Sequence, residues 1–175
     1  MPGRVRRLVL LRHAKAEPSG GVADELRRLT AVGIRQASAV GASLHAAGLV
    51  PERALVSSAV RTRETWEHLA VALGDEPAPE VVVSDEIYLA HPLEVVDLVR
   101  RTDARVRTLL VVGHEPAMSA AATLLAGEGE PGHVAQVRTG LGTGAYAVLD
   151  VVGPWEGLAR GSAVLTGVVR PAWDA

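Results

Sequence analysis

Four short apolar runs, each cut off by polar residues and each followed by helix-like sequence, constrain this 175-residue chain more than any other feature. Val5–Leu11, apolar and unbroken from Leu8, predicts a central strand covered on both faces. From Leu29 to Leu49 the positions Val32, Ala37, Val40, Leu44 and Ala47 recur at helical spacing, with Thr30 as N-cap and Gly48 as the stop. Ala54–Val56 predicts a second strand, after which Ser57 and Ser58 cap a helix from Val60 to Leu73 that Gly74 closes. Val81–Val83 predicts a third strand, and Pro92 opens a helix through Val99. Arg107–Val112 is a β-branched run closed by Gly113 and His114, and Pro116 starts a helix to Leu125. This alternation specifies an α/β fold: one three-layer domain over residues 1–175, with a mostly parallel central sheet flanked by helices.

The last third reads differently. Gly127–Gly132 reads as a glycine-rich acidic turn, and Val134–Val137, Gly144–Val151 and Ser162–Val169 read as edge strands or a terminal hairpin. No repeat or linker divides the chain. With no Phe, the core must be filled by small aliphatic residues at close packing.

Composition excludes several function classes. A hydrophobic content of 48% with a net charge of -2 is incompatible with disorder and leaves no electrostatic footprint for nucleic acid. The absence of Cys removes thiol nucleophiles, disulfides, thiolate zinc sites and iron–sulfur clusters. The basic start, Met1–Arg7, leads into an apolar run too brief for a signal peptide, and no stretch has membrane-span length. A cytoplasmic protein without a membrane partner is the expectation.

In a parallel sheet, ligands bind beyond the carboxyl ends of the strands, where loops converge and helix N-termini point outward. The first strand delivers Arg12 and His13 to that edge, the second delivers Ser57 and Ser58 with Arg61 in the following turn, and the fourth delivers His114. A cation in a first helical turn opposes the macrodipole, so Arg61 implies an anion beside it. The same dipole biases His114 toward its neutral form. Two guanidinium forks and two imidazoles together suit a tetrahedral oxyanion such as phosphate or sulfate. Phosphoryl transfer without a thiol needs another nucleophile, and neutral imidazole serves; either histidine fits on this argument.

The stretch Leu10-Leu11-Arg12-His13-Ala14-Lys15-Ala16-Glu17 resembles the signature of the histidine phosphatase superfamily, in particular its short SixA-like phosphohistidine phosphatase branch. Ser57-Ser58-Ala59-Val60-Arg61-Thr62-Arg63-Glu64-Thr65 is similar to the family's second arginine motif. Val111-Val112-Gly113-His114-Glu115-Pro116 is similar to its second histidine motif, and Leu29-Thr30 with Gly33 and Gln36-Ala37 to its first helix. Ala14 stands where many members have Gly, and Ala59 where Pro is common.

The resemblance implies a phosphoglycerate-mutase-like fold without a cap domain, needing no metal or organic cofactor. It makes His13 the nucleophile that becomes a transient phosphohistidine, with Arg12, Arg61 and His114 holding the phosphoryl oxygens. Larger relatives place a general acid after the third strand; Asp85 is preferred here, ahead of Glu86 and Glu17. Lys15 and Ser19 are assigned to the mouth as phosphate-binding groups. His91 reads as a helix-start residue, and His45, His68 and His133 as structural or exposed. Trp155 and Trp173 read as packing residues of the C-terminal strands.

The function these features imply is a metal-independent phosphatase acting on phosphohistidine in the phosphotransfer domain of a signalling protein, since the short connections leave no cap to enclose a metabolite. The alternatives are a phosphatase for small phosphoesters and a catalytically silent phosphate- or phosphoprotein-binding module. A histidine metal site fits poorly, because the neighbouring arginines repel cations.

Overall fold

Leu8, Val9, Leu10 and Leu11 are all fully buried, which requires protein on both faces of their strand. In the computed structural model, which describes residues 4–75 and 77–173, the two faces go to different partners. Leu8 and Leu10 pack with one hydrophobic cluster, Val9 and Leu11 with another. Each such leucine contributes about 1.5–3 kcal/mol through burial. Met1–Gly3 of the basic start, Glu76 and residues 174–175 lie outside the described residues.

In chain order the elements are β1 (Val5–Arg12), α1 (Ala31–Ala46), β2 (Arg53–Ser57), α2 (Val60–Leu73), β3 (Glu80–Ser84), α3 (Asp85–Tyr88), α4 (Pro92–Arg100), β4 (Thr108–Gly113), α5 (Ala117–Leu125), β5 (Ala126–Gly129), α6 (Pro131–Thr139), β6 (Tyr146–Val152) and β7 (Ala163–Val169). The seven-stranded sheet runs β3-β2-β4-β1-β6-β7-β5. β3, β2, β4 and β1 are mutually parallel, β6 is antiparallel to both β1 and β7, and β5 is parallel to β7, so β6 alone is reversed. Helices α1 and α2 cover one face through Val40, Leu44, Trp66 and Leu69. Helices α4, α5 and α6 cover the other through Val95, Val99, Met118, Leu125 and Val137. This is the expected three-layer α/β arrangement. Among the described residues no helix is long and apolar enough to cross a membrane.

The predicted Thr30 cap holds, its hydroxyl accepting from the amide of Gly33 at 3.0 Å. Small residues let the helices approach closely: a Cβ on Gly41 of α1 would overlap the carbonyl oxygen of Leu69 in α2. Three expectations are corrected. Val134–Val137 is helical, because Pro131 at the first position of α6 starts a helix whose buried residue is Val137. Residues 127–129 of the expected turn instead belong to β5, which pairs with β7, and there Gly127 admits the carbonyl of Gly161 to a distance that any side chain would forbid. The cap of α2 is Ala59 without a side-chain bond; Ser57 is the last residue of β2 and its hydroxyl is used elsewhere. Trp155 is fully buried and its indole donates to Val106 O at 2.8 Å.

Candidate active site

The strand registers bring three carboxyl ends level. Arg12 pairs with Gly113 across β1 and β4, while Val56 pairs with Val112, so Ser57 ends β2 beside Gly113. The chain leaving β1 is then fixed by four segments. His13 N donates to Gly113 O at 3.0 Å, and Gly144 N donates to His13 O at 3.1 Å. Ala14 N donates to Thr65 Oγ1 at 3.0 Å, and Lys15 N to Gln36 Oε1 at 2.8 Å. Gly33 is required here, since a Cβ would collide with Lys15 O. A loop normally loose is thereby made rigid, which is what a reacting side chain needs.

His13 is buried to 7% exposure, and its Nδ1 lies 2.7 Å from the carbonyl oxygen of Ala14. A carbonyl only accepts, so Nδ1 carries the proton and the Nε2 lone pair is free. Burial, first, and then the positive surroundings of His114, Arg61 and Arg12 push its pKa down to about 3. The ring is neutral at pH 7, as a nucleophile must be.

Arg61 is buried to 5% exposure in the first turn of α2. The anion demanded by that position is Asp24, from the loop between β1 and α1. Arg61 NH1 donates to Asp24 O at 2.7 Å and NH2 to Asp24 Oδ2 at 3.0 Å, and Tyr88 donates to the same Oδ2 at 2.6 Å. Arg61 NH2 also reaches His114 Nδ1 at 3.3 Å. A guanidinium only donates, so His114 Nδ1 accepts and Nε2–H donates to Ser57 Oγ at 2.7 Å. His114 is held down to about 4, with burial the leading cause and Arg61 the next, rather than the helix dipole alone. The His13 and His114 ring centroids lie 5.4 Å apart. Arg12 NH1 donates to Leu141 O at 3.0 Å. The Nε atoms of Arg12 and Arg61 are buried without a hydrogen-bond partner among the described residues.

Residues 8–87 match the histidine phosphatase superfamily (branch 1). An uncharacterized protein of Mycobacterium tuberculosis is 38% identical over 163 residues, covering 92% of this chain and 99% of its own. A structure provisionally named phosphohistidine phosphatase SixA, from Nakamurella multipartitia, is 32% identical with a TM-score of 0.83, covering 98% of this chain and 99% of that one. A second with the same provisional name, from Agrobacterium tumefaciens, is 28% identical with a TM-score of 0.79, covering 95% and 98%. The chain belongs to the histidine phosphatase superfamily. Its likeness is to the SixA-like members of that superfamily.

Within this histidine phosphatase fold the structure brings Arg12, His13, Arg61 and His114 to one edge from three strand ends. Among the described residues, none of the other expected side chains, those of Asp85, Glu86, Glu17, Lys15 and Ser19, is hydrogen-bonded to that cluster. Asp85 is exposed at the start of α3 and its side chain makes no hydrogen bond or ion pair among the described residues; Glu86 pairs with Arg101 at 2.7 Å. The carboxylate in the cluster is Asp24. Glu17 and Ser19 are exposed. Lys15 is exposed too and lines an open groove of about 560 Å³ with Gln36, Thr143, Arg170 and Trp173. His91 is the N-cap of α4, its amide donating to Glu94 Oε1 at 3.1 Å. His45 is tied to Leu73 O at 2.9 Å. Sequence reading missed Asp24, Tyr88, Thr65, Glu115 and Leu141. The dipole conflict at Arg61 was the one signal that an anion had to be supplied.

The two depressed histidines set a pH dependence of stability. Unfolded, each binds a proton below about 6.5, whereas folded they do so only near 3 and 4. In that window the unfolded state binds more protons, so the stability present above 6.5 is lost as pH falls. Urea midpoints at pH 7 and pH 5 are expected to drop by more in the wild type than in His13→Ala. Equal drops would mean that His13 is not held neutral by the fold.

Proposed function

We propose that this chain is a metal-independent phosphatase that removes the phosphoryl group from phosphohistidine on the phosphotransfer domain of a signalling protein. The observation that carries the reading is the Nδ1–H bond of His13 to Ala14 O, which leaves Nε2 as a neutral nucleophile among two arginines and a second histidine. Nε2 attacks phosphorus, the P–N bond of the substrate breaks, and the phosphoryl group resides on His13. Water then attacks that phosphorus, the P–Nε2 bond breaks, and phosphate leaves with His13 restored to neutral. Arg12, Arg61 and His114 bind the phosphoryl oxygens and offset the charge that builds on them.

The acid–base character of the cluster favours an N–P substrate. Asp24 is held ionised, its pKa down to about 2, first by the Tyr88 hydroxyl and then by Arg61, so it cannot donate a proton near pH 7. An alkoxide leaving group would need such a donor. An imidazole already protonated on its other nitrogen leaves as a neutral molecule and does not. The segments that follow β1, β2 and β4 insert no cap domain, which leaves the edge open to a side chain displayed on another protein.

The test compares kcat/KM for a phosphohistidine-bearing phosphotransfer domain with that for a panel of phosphosugars. The protein substrate is expected to be favoured by about 100-fold or more, the scale at which transition-state contacts discriminate substrates. A phosphosugar turned over faster than the protein would instead identify a small-molecule phosphatase of the same superfamily.

A further inference from the structure

Among the described residues the Arg12 side chain has a single hydrogen bond, to a carbonyl in the loop that joins α6 to β6. That loop is also the support of the neighbouring backbone, since Gly144 N donates to His13 O. Gln36 and Arg170 hold the loop at Thr143, and its anchor at Leu141 is Glu115, the residue after His114. Glu115 Oε2 accepts from Leu141 N at 3.0 Å and from Ser119 Oγ at 2.6 Å, while Oε1 accepts from Ser119 N at 2.8 Å. Gly140 lets the carboxylate in, as a Cβ there would stand 3.3 Å from Oε2 in a backbone conformation with φ of +111°. The proposed reaction gives Glu115 no role, yet the residue joins the second histidine's strand end to the first arginine.

We propose that Glu115 is the positioning residue for Arg12, its carboxylate fixing the Leu141 amide while the Leu141 carbonyl fixes the guanidinium. One peptide unit thus relays the placement, and the α5 end, the 140–144 loop and Arg12 move as a unit. Charge acts in the same direction. Arg12 is disfavoured as a cation first by burial and then by Arg170 and Arg61, and Glu115 works against them. The inference rests on the reading that Arg12 holds a phosphoryl oxygen.

The test measures tungstate binding by titration calorimetry on the full chain for the wild type, R12A, E115M, E115Q, S119A and the double variant R12A/E115M. E115M fills the volume but offers no acceptor, and is expected to weaken binding by about 10-fold. E115Q keeps one oxygen for Leu141 N and is expected to bind within about 3-fold of the wild type. S119A removes the hydroxyl that shares Oε2 with Leu141 N but leaves the Leu141 and Ser119 amides bonded to the carboxylate, and is expected to bind within about 3-fold of the wild type. In the R12A background, E115M is expected to add less than about 2-fold, because residues acting as one unit are not additive. Wild-type binding by E115M, or the same loss with and without Arg12, overturns the relay. Wild-type binding by R12A alone overturns the role of Arg12 and the inference with it, independently of E115M.

Discussion

His13→Ala is expected to abolish turnover of every phosphorylated substrate, with a loss of at least about 10⁴-fold, because removing a nucleophile removes the covalent route itself. The size of the loss follows from how the ring is prepared. Its tautomer is set by Ala14 O, its charge is suppressed by burial, and its backbone is held by Gly113, Gly144 and Thr65. No other residue in the cluster is equipped to replace it. His114 has its Nδ1 engaged by Arg61 and its Nε2–H by Ser57, so it has no free lone pair. Two measurements check the claim together. Steady-state turnover is expected to vanish in the variant, and brief incubation with a labelled phosphodonor is expected to label the wild type with an acid-labile, base-stable phosphoryl group that the variant lacks. Turnover or labelling retained in the variant would remove His13 from the mechanism.

Arg61→Ala is the second large effect, an expected fall in kcat/KM of about 10³-fold, comparable with losing a preorganised donor to a transition-state oxygen. Arg61 has a wider task than charge. Its guanidinium spans Asp24 O, Asp24 Oδ2 and His114 Nδ1, and so sets both the tautomer of the second histidine and the seat of the loop between β1 and α1. A lysine supplies one compact charge and no planar fork, so Arg61→Lys is expected to recover less than about 10-fold of the loss. Activity of the lysine variant within 10-fold of the wild type would mean that only the charge matters. A nitrogen chemical-shift spectrum of the imidazoles reads the second consequence, since His114 in the alanine variant is expected to lose its single Nε2–H tautomer.

Much of the architecture was legible because burial on both faces leaves a mark that composition cannot hide. Leu8–Leu11 had to be a central strand, and the helical spacing of Val40 and Leu44 had to meet it. Polar residues directly after such strands announced the edge where Arg12, His13, Arg61 and His114 meet. The errors came where one residue outweighs a pattern: Pro131 turned an expected strand into α6, and Gly127 turned an expected loop into an edge strand. Asp85 was an argument from position after β3, and the chain there spends Tyr88 rather than Asp85 on the cluster.

The sequence by itself determined the layer order, the strand ends that carry the polar residues and the family to which those motifs belong. These depend on periodicity and on near neighbours along the chain, which a sequence displays directly. Only the tertiary structure decided which nitrogen of each histidine is protonated, that Arg61 finds its anion in Asp24, and that Leu141 and Glu115 stand behind Arg12. Except for His13 and Ala14, which are adjacent in the chain, those pairings join residues from 26 to 129 positions apart. Hydrogen bonds of that kind depend on distances of about 3 Å between atoms whose separation along the chain says nothing about where folding will put them.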